Sequence, residues 1–263
     1  MSVTSDQKSA LKLVKKILAA DCACEEECFE KEGAFLSIAR KVEGARRFPV
    51  REKSLAVTTM GAGQVVTCSS ERLRWVKNNL THFGRNQLFF APALARMERY
   101  VSRDRQHMAG PDLKHICTED TFQPFHLSGK INILTYEEQI PELYSYTKFP
   151  NALGYHYNPE RPRKIVVVAR LGDRIVGMAG ASADSDEMWQ IGVDVLHDFR
   201  LQGIGKAMVS ELTGALFKQG ILPYYSTAIA NLASRRLAIS LGYRPAWVEV
   251  YATDLDRRPS ATS

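Results

Sequence analysis

Residues 189–216, WQIGVDVLHDFRLQGIGKAMVSELTGAL, constrain the fold of this chain more than any other stretch. Ile191, Val193 and Val195 alternate with Gly192 and Asp194 in a β-prone run that breaks at Leu196-His197-Asp198. Beyond the break, apolar residues return at helical spacing through Met208, Val209, Leu212 and Leu216, so the stretch reads as strand, turn and helix. The turn is Arg200-Leu201-Gln202-Gly203-Ile204-Gly205, followed by Lys206. Its two glycines carry no Cβ, and the first N–H groups of the helix have no intrahelical acceptor. Free donors at the positive end of a helix dipole make a seat for phosphate.

A second element follows at 224–243, YYSTAIANLASRRLAISLGY: a strand over 224–229, Asn231 opening a short helix, and Gly242-Tyr243 closing it. A strand followed by RxxGxG, then a strand followed by Asn and a helix, resembles the GNAT superfamily of N-acetyltransferases. That family's pyrophosphate signature is Arg or Gln, two residues, Gly, one residue, and Gly or Ala. The resemblance runs over about 131–252. More narrowly, the N-terminal extension and the wording IGVDVLHDFRLQGIG look like the two-domain GNAT acetyltransferases that include an antibiotic self-resistance protein.

The resemblance implies an α/β (α+β) chain with a C-terminal GNAT fold, a mixed, mostly antiparallel sheet with flanking helices, plus an N-terminal α/β domain. It also implies acetyl-CoA as cosubstrate. Val193 and Val195 would meet its pantetheine arm through the backbone. Arg200, Leu201, Gln202, Gly203, Ile204, Gly205 and Lys206 would hold the pyrophosphate, and Asn231, Ser234 and Arg235 would add contacts from the next helix. The reaction implied is acetyl transfer to a primary amine of a small molecule in a ternary complex; the alternative is a non-catalytic acyl-CoA-binding protein.

At 263 residues and 45% hydrophobic composition, the chain can bury one large core or two modest ones. The expected division is 1–128, an N-terminal α/β domain that shapes the acceptor site or a homodimer; 129–254, the catalytic domain; and 255–263, a tail. No run of about 18 apolar residues is present, and residues 1–16 are polar where a signal peptide needs an apolar block, so a cytoplasmic protein outside the membrane is expected. The net charge of +6 is scattered rather than gathered in a stripe, which argues against nucleic acid as a partner. Cys22, Cys24 and Cys28 lack paired-knuckle spacing and enclose Glu25, Glu26 and Glu27, so no metal is expected.

Along the chain, 9–20 reads as an amphipathic helix, 54–59 and 64–68 as a hairpin around Gly61-Ala62-Gly63, and 89–101 as a helix with Pro92 in its first turn. Residues 102–128 read as an irregular linker. Thr135, three residues before Glu138, has capping-box spacing for a helix over 140–146. Residues 151–163 read as a loop in which Tyr155, His156 and Tyr157 line a pocket. Residues 164–171 and 174–181 form a hairpin about Gly172-Asp173.

Acetyl transfer needs a neutral amine, a polarised thioester carbonyl and a proton for the departing thiolate. Glu187, Asp186 and Asp194 are the candidate catalytic bases. Many GNAT members carry a Tyr seven residues after the helix-opening Asn, and here that position is Ala238. Tyr243, Tyr224 or Tyr225 then stands in as proton donor, or solvent does.

Overall fold

The N-terminal amphipathic pattern folds as α1 (Gln7–Cys22) in a computed structural model that describes residues 3–48, 54–84, 86–154 and 156–255. Leu13, Val14, Ile17 and Leu18 form its buried stripe. Asp6 holds its first turn by accepting from the Lys8 and Ser9 amides, both at 3.0 Å. Then come β1 (Gly33–Ile38), β2 (Leu55–Thr59), β3 (Gly63–Cys68), α2 (Leu73–Asn79), α3 (Ala91–Val101) and β4 (Gln106–Ile116). They are followed by β5 (Ile131–Tyr136), α4 (Ile140–Leu143), α5 (Pro150–Leu153), β6 (Arg163–Leu171), β7 (Arg174–Ser182) and β8 (Met188–Val195). The last are α6 (Ile204–Lys218), β9 (Leu222–Ala228), α7 (Leu232–Ser240) and β10 (Arg244–Asp254).

These elements form two compact units, one from residues 3–10 and 115–245, the other from 11–114 and 246–255. In the 11–114 unit the strand order is β1-β3-β2-β10-β4. β2 and β3 make the expected hairpin, closing at Thr59↔Gln64, and β1 runs parallel to β3. Leu55, Val57, Val66, Leu80, Met97 and Val250 anchor its core.

A buried charge network lies in the same unit. Arg46 donates its backbone N–H (2.7 Å) and its Nε to Asp21, and its Nη2 to Glu249 at 2.9 Å. Lys114 Nζ is 2.9 Å from Glu249, and Trp247 Nε1 donates to the same carboxylate at 3.2 Å. Burial pushes the Glu249 carboxyl up, but the Arg46 and Lys114 charges outweigh it and hold the group well below the usual carboxylate range.

In the 115–245 unit the order is β9-β8-β7-β6-β5, antiparallel throughout except for the parallel β8/β9 pair. The result is a mixed, mostly antiparallel sheet flanked by helices, with the expected β6–β7 hairpin. Strand alternation sorts its side chains onto two faces. Ile165, Val167, Ala179 and Ile191 pack with Met208 and Leu212 of α6, each large side chain contributing about 1.5–3 kcal/mol by burial. Val166, Val168 and Met178 pack with Leu143, Ala152 and Leu153 on the other face.

Three local readings are corrected by the fold. The 102–128 segment is not an irregular linker, because 106–116 is the eleven-residue strand β4; its His, Lys, Gln and Pro111 hid the alternation. Beyond it, Gln123 N donates to Leu241 O (3.0 Å) and Phe125 N to Ser210 Oγ (2.8 Å), so this segment packs on α6 and the end of α7. Thr135 is no helix cap: it pairs with Val167 inside β5, and α4 starts after Gln139 and stops at Leu143. In the expected 151–163 loop, Pro150 opens the four-residue α5. Tyr155 and the tail from 256 lie outside the described residues.

Candidate active site

The β8/β9 ladder runs from Met188↔Leu222 to Ile191↔Tyr225, after which the two strands part: β8 continues to Val195 and β9 to Ala228. The split opens beside the start of α6, whose cap residue Gly203 sits at φ +80° and makes no side-chain cap bond. Among the described residues no side chain caps the first amides of this fifteen-residue helix. Glycine is required at Gly203 by its left-handed φ, and an added Cβ would lie 3.3 Å from the Phe125 ring. A Cβ on Gly205 would stand 3.3 Å from Leu237 and 3.4 Å from Val195, so turn, strand and α7 converge there.

The remaining turn residues frame this seat. Arg200 folds its Nε back to Val195 O at 3.2 Å, and Gln202 Nε2 reaches Asp198 O at 3.2 Å. Leu201 takes φ +61° and is fully exposed. Lys206 Nζ lies 4.8 Å from the Phe125 ring centroid, Ile204 is buried in the core, and Val193 shares the α6 face with Val195. On α7, Asn231 Oδ1 caps the helix by accepting from Ser234 N (3.1 Å), and Ser234 Oγ is 2.8 Å from Tyr225 OH. Arg235 Nη1 donates to Ile229 O at 3.2 Å.

The three catalytic candidates land in different places. Asp194 is on β8 within the split, on the face opposite Val193 and Val195. It accepts from Asn151 N (2.7 Å), Asn151 Nδ2 (2.6 Å) and Ala152 N (2.9 Å), which ties α5 to the strand. Burial raises its pKa, with the amide bonds and Arg200 opposing. Glu187 is exposed at the closed end of the ladder, its carbonyl accepting from Leu222 N, about 16 Å along the strand from Gly192. Tyr243 is buried, its hydroxyl 2.7 Å from Thr213 Oγ1, and burial raises its pKa well above the ordinary value. Tyr225, at the last rung of the ladder, is pushed up to about 12 by burial. Ala238, where the family Tyr would be, is fully buried in the core.

Several residues of this region escaped the sequence reading. Asn151 and Ala152 sit on the sheet because a Cβ on Gly192 would come 2.0 Å from Asn151 O, and one on Gly180 2.3 Å from Ala152 O. Glycines inside strands were the available signal for that close approach. Beside them Asp184, buried, accepts from Arg161 Nε (2.9 Å), Ser182 Oγ (2.8 Å) and Tyr224 OH, while Tyr224 OH is also 3.0 Å from Gln190 Oε1. Of the expected pocket residues, Tyr157 is exposed and packs edge-on against Tyr144, ring centroids 5.9 Å apart.

No curated protein matches the chain. Among solved structures it is similar to a GCN5-related N-acetyltransferase-like protein from Streptococcus suis, with 21% identity over 60% of this chain and 67% of that one (TM-score 0.46). It is also similar to a GCN5-related N-acetyltransferase from Kribbella flavida, with 19% identity over 62% and 64% (TM-score 0.44). A third is yncA from Salmonella typhimurium, solved with acetyl-CoA as its cofactor, with 15% identity over 51% and 100% (TM-score 0.34). The chain spans about two thirds of the length of the first solved structures it matches. Residues 131–243, from β5 to the end of the α7 loop, match the Acetyltransferase (GNAT) family model. The matched stretch holds both the α6 turn and the β8/β9 split, so both belong to the GNAT-like part of the chain.

Proposed function

We propose that this protein is an acetyl-CoA-dependent N-acetyltransferase acting on a small primary amine. The observation that carries this reading is the pairing of uncapped α6 amides with the adjoining β8/β9 split. The amides and the helix dipole hold the pyrophosphate, with Arg200 and Lys206 adding charge. The β9-side edge of 192–195, unpaired beyond the Ile191↔Tyr225 rung, takes the pantetheine arm, and Asn231, Ser234 and Arg235 approach the cofactor from α7.

The amine lone pair attacks the thioester carbonyl carbon; the C–N bond forms, the C–S bond breaks, and the sulfur leaves as thiolate. Asp194 is the base the geometry favours. Its carboxylate has about four acceptor positions, of which three are taken by amides, and the fourth orders a water that removes the amine proton. Tyr225, backed by Ser234, supplies the proton to sulfur.

Asp194→Asn should lower kcat about 100-fold, within the range for a lost acid–base group, with acetyl-CoA binding retained, and Tyr225→Phe should lower it about 10-fold. Glu187→Gln should leave turnover unchanged. The reverse pattern, with loss at Glu187 and none at Asp194, moves the base to the closed end of the strand. The test of the reading as a whole is thermal stabilisation by acetyl-CoA together with thiol release on incubation with an amine panel. A second reading, an acyl-CoA-binding protein without turnover, is favoured by Ala238. It predicts the same stabilisation and no thiol release.

A further inference from the structure

Arg163 opens β6, and the β6/β7 register shifts between Arg163 and Ile165. Ile165 points to the α6 face and Val166 to the α5 face, so unbroken alternation would turn residue 163 toward α6. The shift re-aims it, as strand irregularities do. The Arg163 side chain instead lies under α5, its Nε donating to Ala152 O at 2.7 Å and its Cδ 3.5 Å from where a Gly180 Cβ would be.

Its charge has no carboxylate bonded to it. Asp184 is taken by Arg161, Ser182 and Tyr224, and Asp194 by the Asn151 and Ala152 amides. Among the described residues the two Arg163 Nη groups have no hydrogen-bond partner. Burial depresses the Arg163 pKa, with Asp184 opposing. A guanidinium nonetheless stays protonated in a protein, so the two Nη groups remain cationic donors without a bonded acceptor among the described residues. The planar fork it offers matches a carboxylate in the bidentate geometry that gives the strongest such contacts.

Register fixes how far this fork is from the chemistry. Arg163 aligns with Ser182 and Ser182 with Gln190, two strands across and two residues short of Gly192. That separation is about 12 Å between backbone positions. An extended arginine side chain covers much of it and leaves room for a ligand whose amine and carboxylate are a few bonds apart. We propose that the acceptor is a small amino carboxylate, a free amino acid or short peptide, whose carboxylate docks on Arg163 while its amine reaches the β8/β9 split. This rests on the acetyl-transfer reading above.

The experiment compares α-, β- and γ-amino acids and dipeptides with their carboxamides, using the full-length protein and acetyl-CoA. Thiol release gives kcat/KM, and thermal shift of the CoA-loaded protein gives binding. The expected result is that at least one free acid is acetylated, that its amide falls by about 100-fold or more in kcat/KM, and that Arg163→Gln removes the preference while keeping acetyl-CoA stabilisation. Equal use of acids and amides, or transfer only to amines without a carboxylate, overturns the proposal and leaves acetyl transfer standing. Failure of every acid to bind the CoA-loaded protein overturns it as well. Absence of any acetyl-CoA stabilisation overturns the acetyl-transfer reading itself and this proposal with it. Should Arg163→Gln not fold, the acid–amide comparison on the unaltered protein still decides.

Discussion

Gly203→Asp is expected to abolish stabilisation by acetyl-CoA and all thiol release. Three effects act together. An L-residue at φ +80° carries about 1–3 kcal/mol of backbone strain. Its Cβ would press on Phe125 and Leu127 at 3.3 and 3.4 Å. Its carboxylate would sit beside the seat for the pyrophosphate and compete for the α6 amides. At a ligand concentration about 100 times Kd, the unaltered protein should gain about 2.7 kcal/mol, several degrees in Tm, and the variant none. Gly203→Ala separates the contributions, because it keeps the strain and the steric contact without the charge. It should bind acetyl-CoA more weakly than the parent but measurably. A Gly203→Asp protein that binds acetyl-CoA as well as the parent would place the cofactor elsewhere and remove the basis for the proposed function.

The second large effect is on stability, in the 11–114 unit. Glu249→Gln leaves Arg46 and Lys114 side by side without the carboxylate between them, and breaking a buried ion pair from one side costs about 3–5 kcal/mol. The urea midpoint should fall by roughly 1–3 M at an ordinary m-value. Trp247, which donates to the same carboxylate, provides a local fluorescence signal. Removing the facing cation as well, in Glu249→Gln with Lys114→Met, should recover part of the loss, since the double variant no longer buries an ammonium whose nearest carboxylate is gone.

The pH dependence has a fixed sign. Glu249 has a folded-state pKa below its unfolded one, so its contribution is complete above about pH 5 and is lost as pH falls below the ordinary carboxylate range. Lys114 is raised: burial lowers it, and Glu249 and Asp112 more than restore it, so its contribution is lost only as pH rises through its folded pKa, above 10.5. A Glu249→Gln protein with the parent midpoint and the parent acid profile would show that the network contributes nothing net.

The strand, glycine turn and helices around the proposed cofactor site were legible in the sequence because they depend on local order. Alternation over 191–195, glycines two apart and Asn231 before a helical run are short-range patterns, and each sets its own backbone geometry whatever packs around it. The hairpins around Gly61 and Gly172 were legible for the same reason. Where sequence pattern failed, long-range pairing decided. Thr135 has the spacing of a cap but hydrogen-bonds as a strand beside Val167, and β4 became a strand despite Pro111 and its polar residues through its place beside β10.

The proposed acceptor side belongs to tertiary structure altogether. Asp194 meets Asn151, and Arg163 meets Ala152, only because Gly180 and Gly192 let the α5 backbone settle on the sheet. The register shift that turns Arg163 toward that face leaves no mark in the residue types around it. The chain's own letters therefore determined that a glycine turn and a helix follow a strand. Which carboxylates are tied up, and which guanidinium lies under α5, were decided by packing, because these pairings depend on distances between strands that no local pattern encodes.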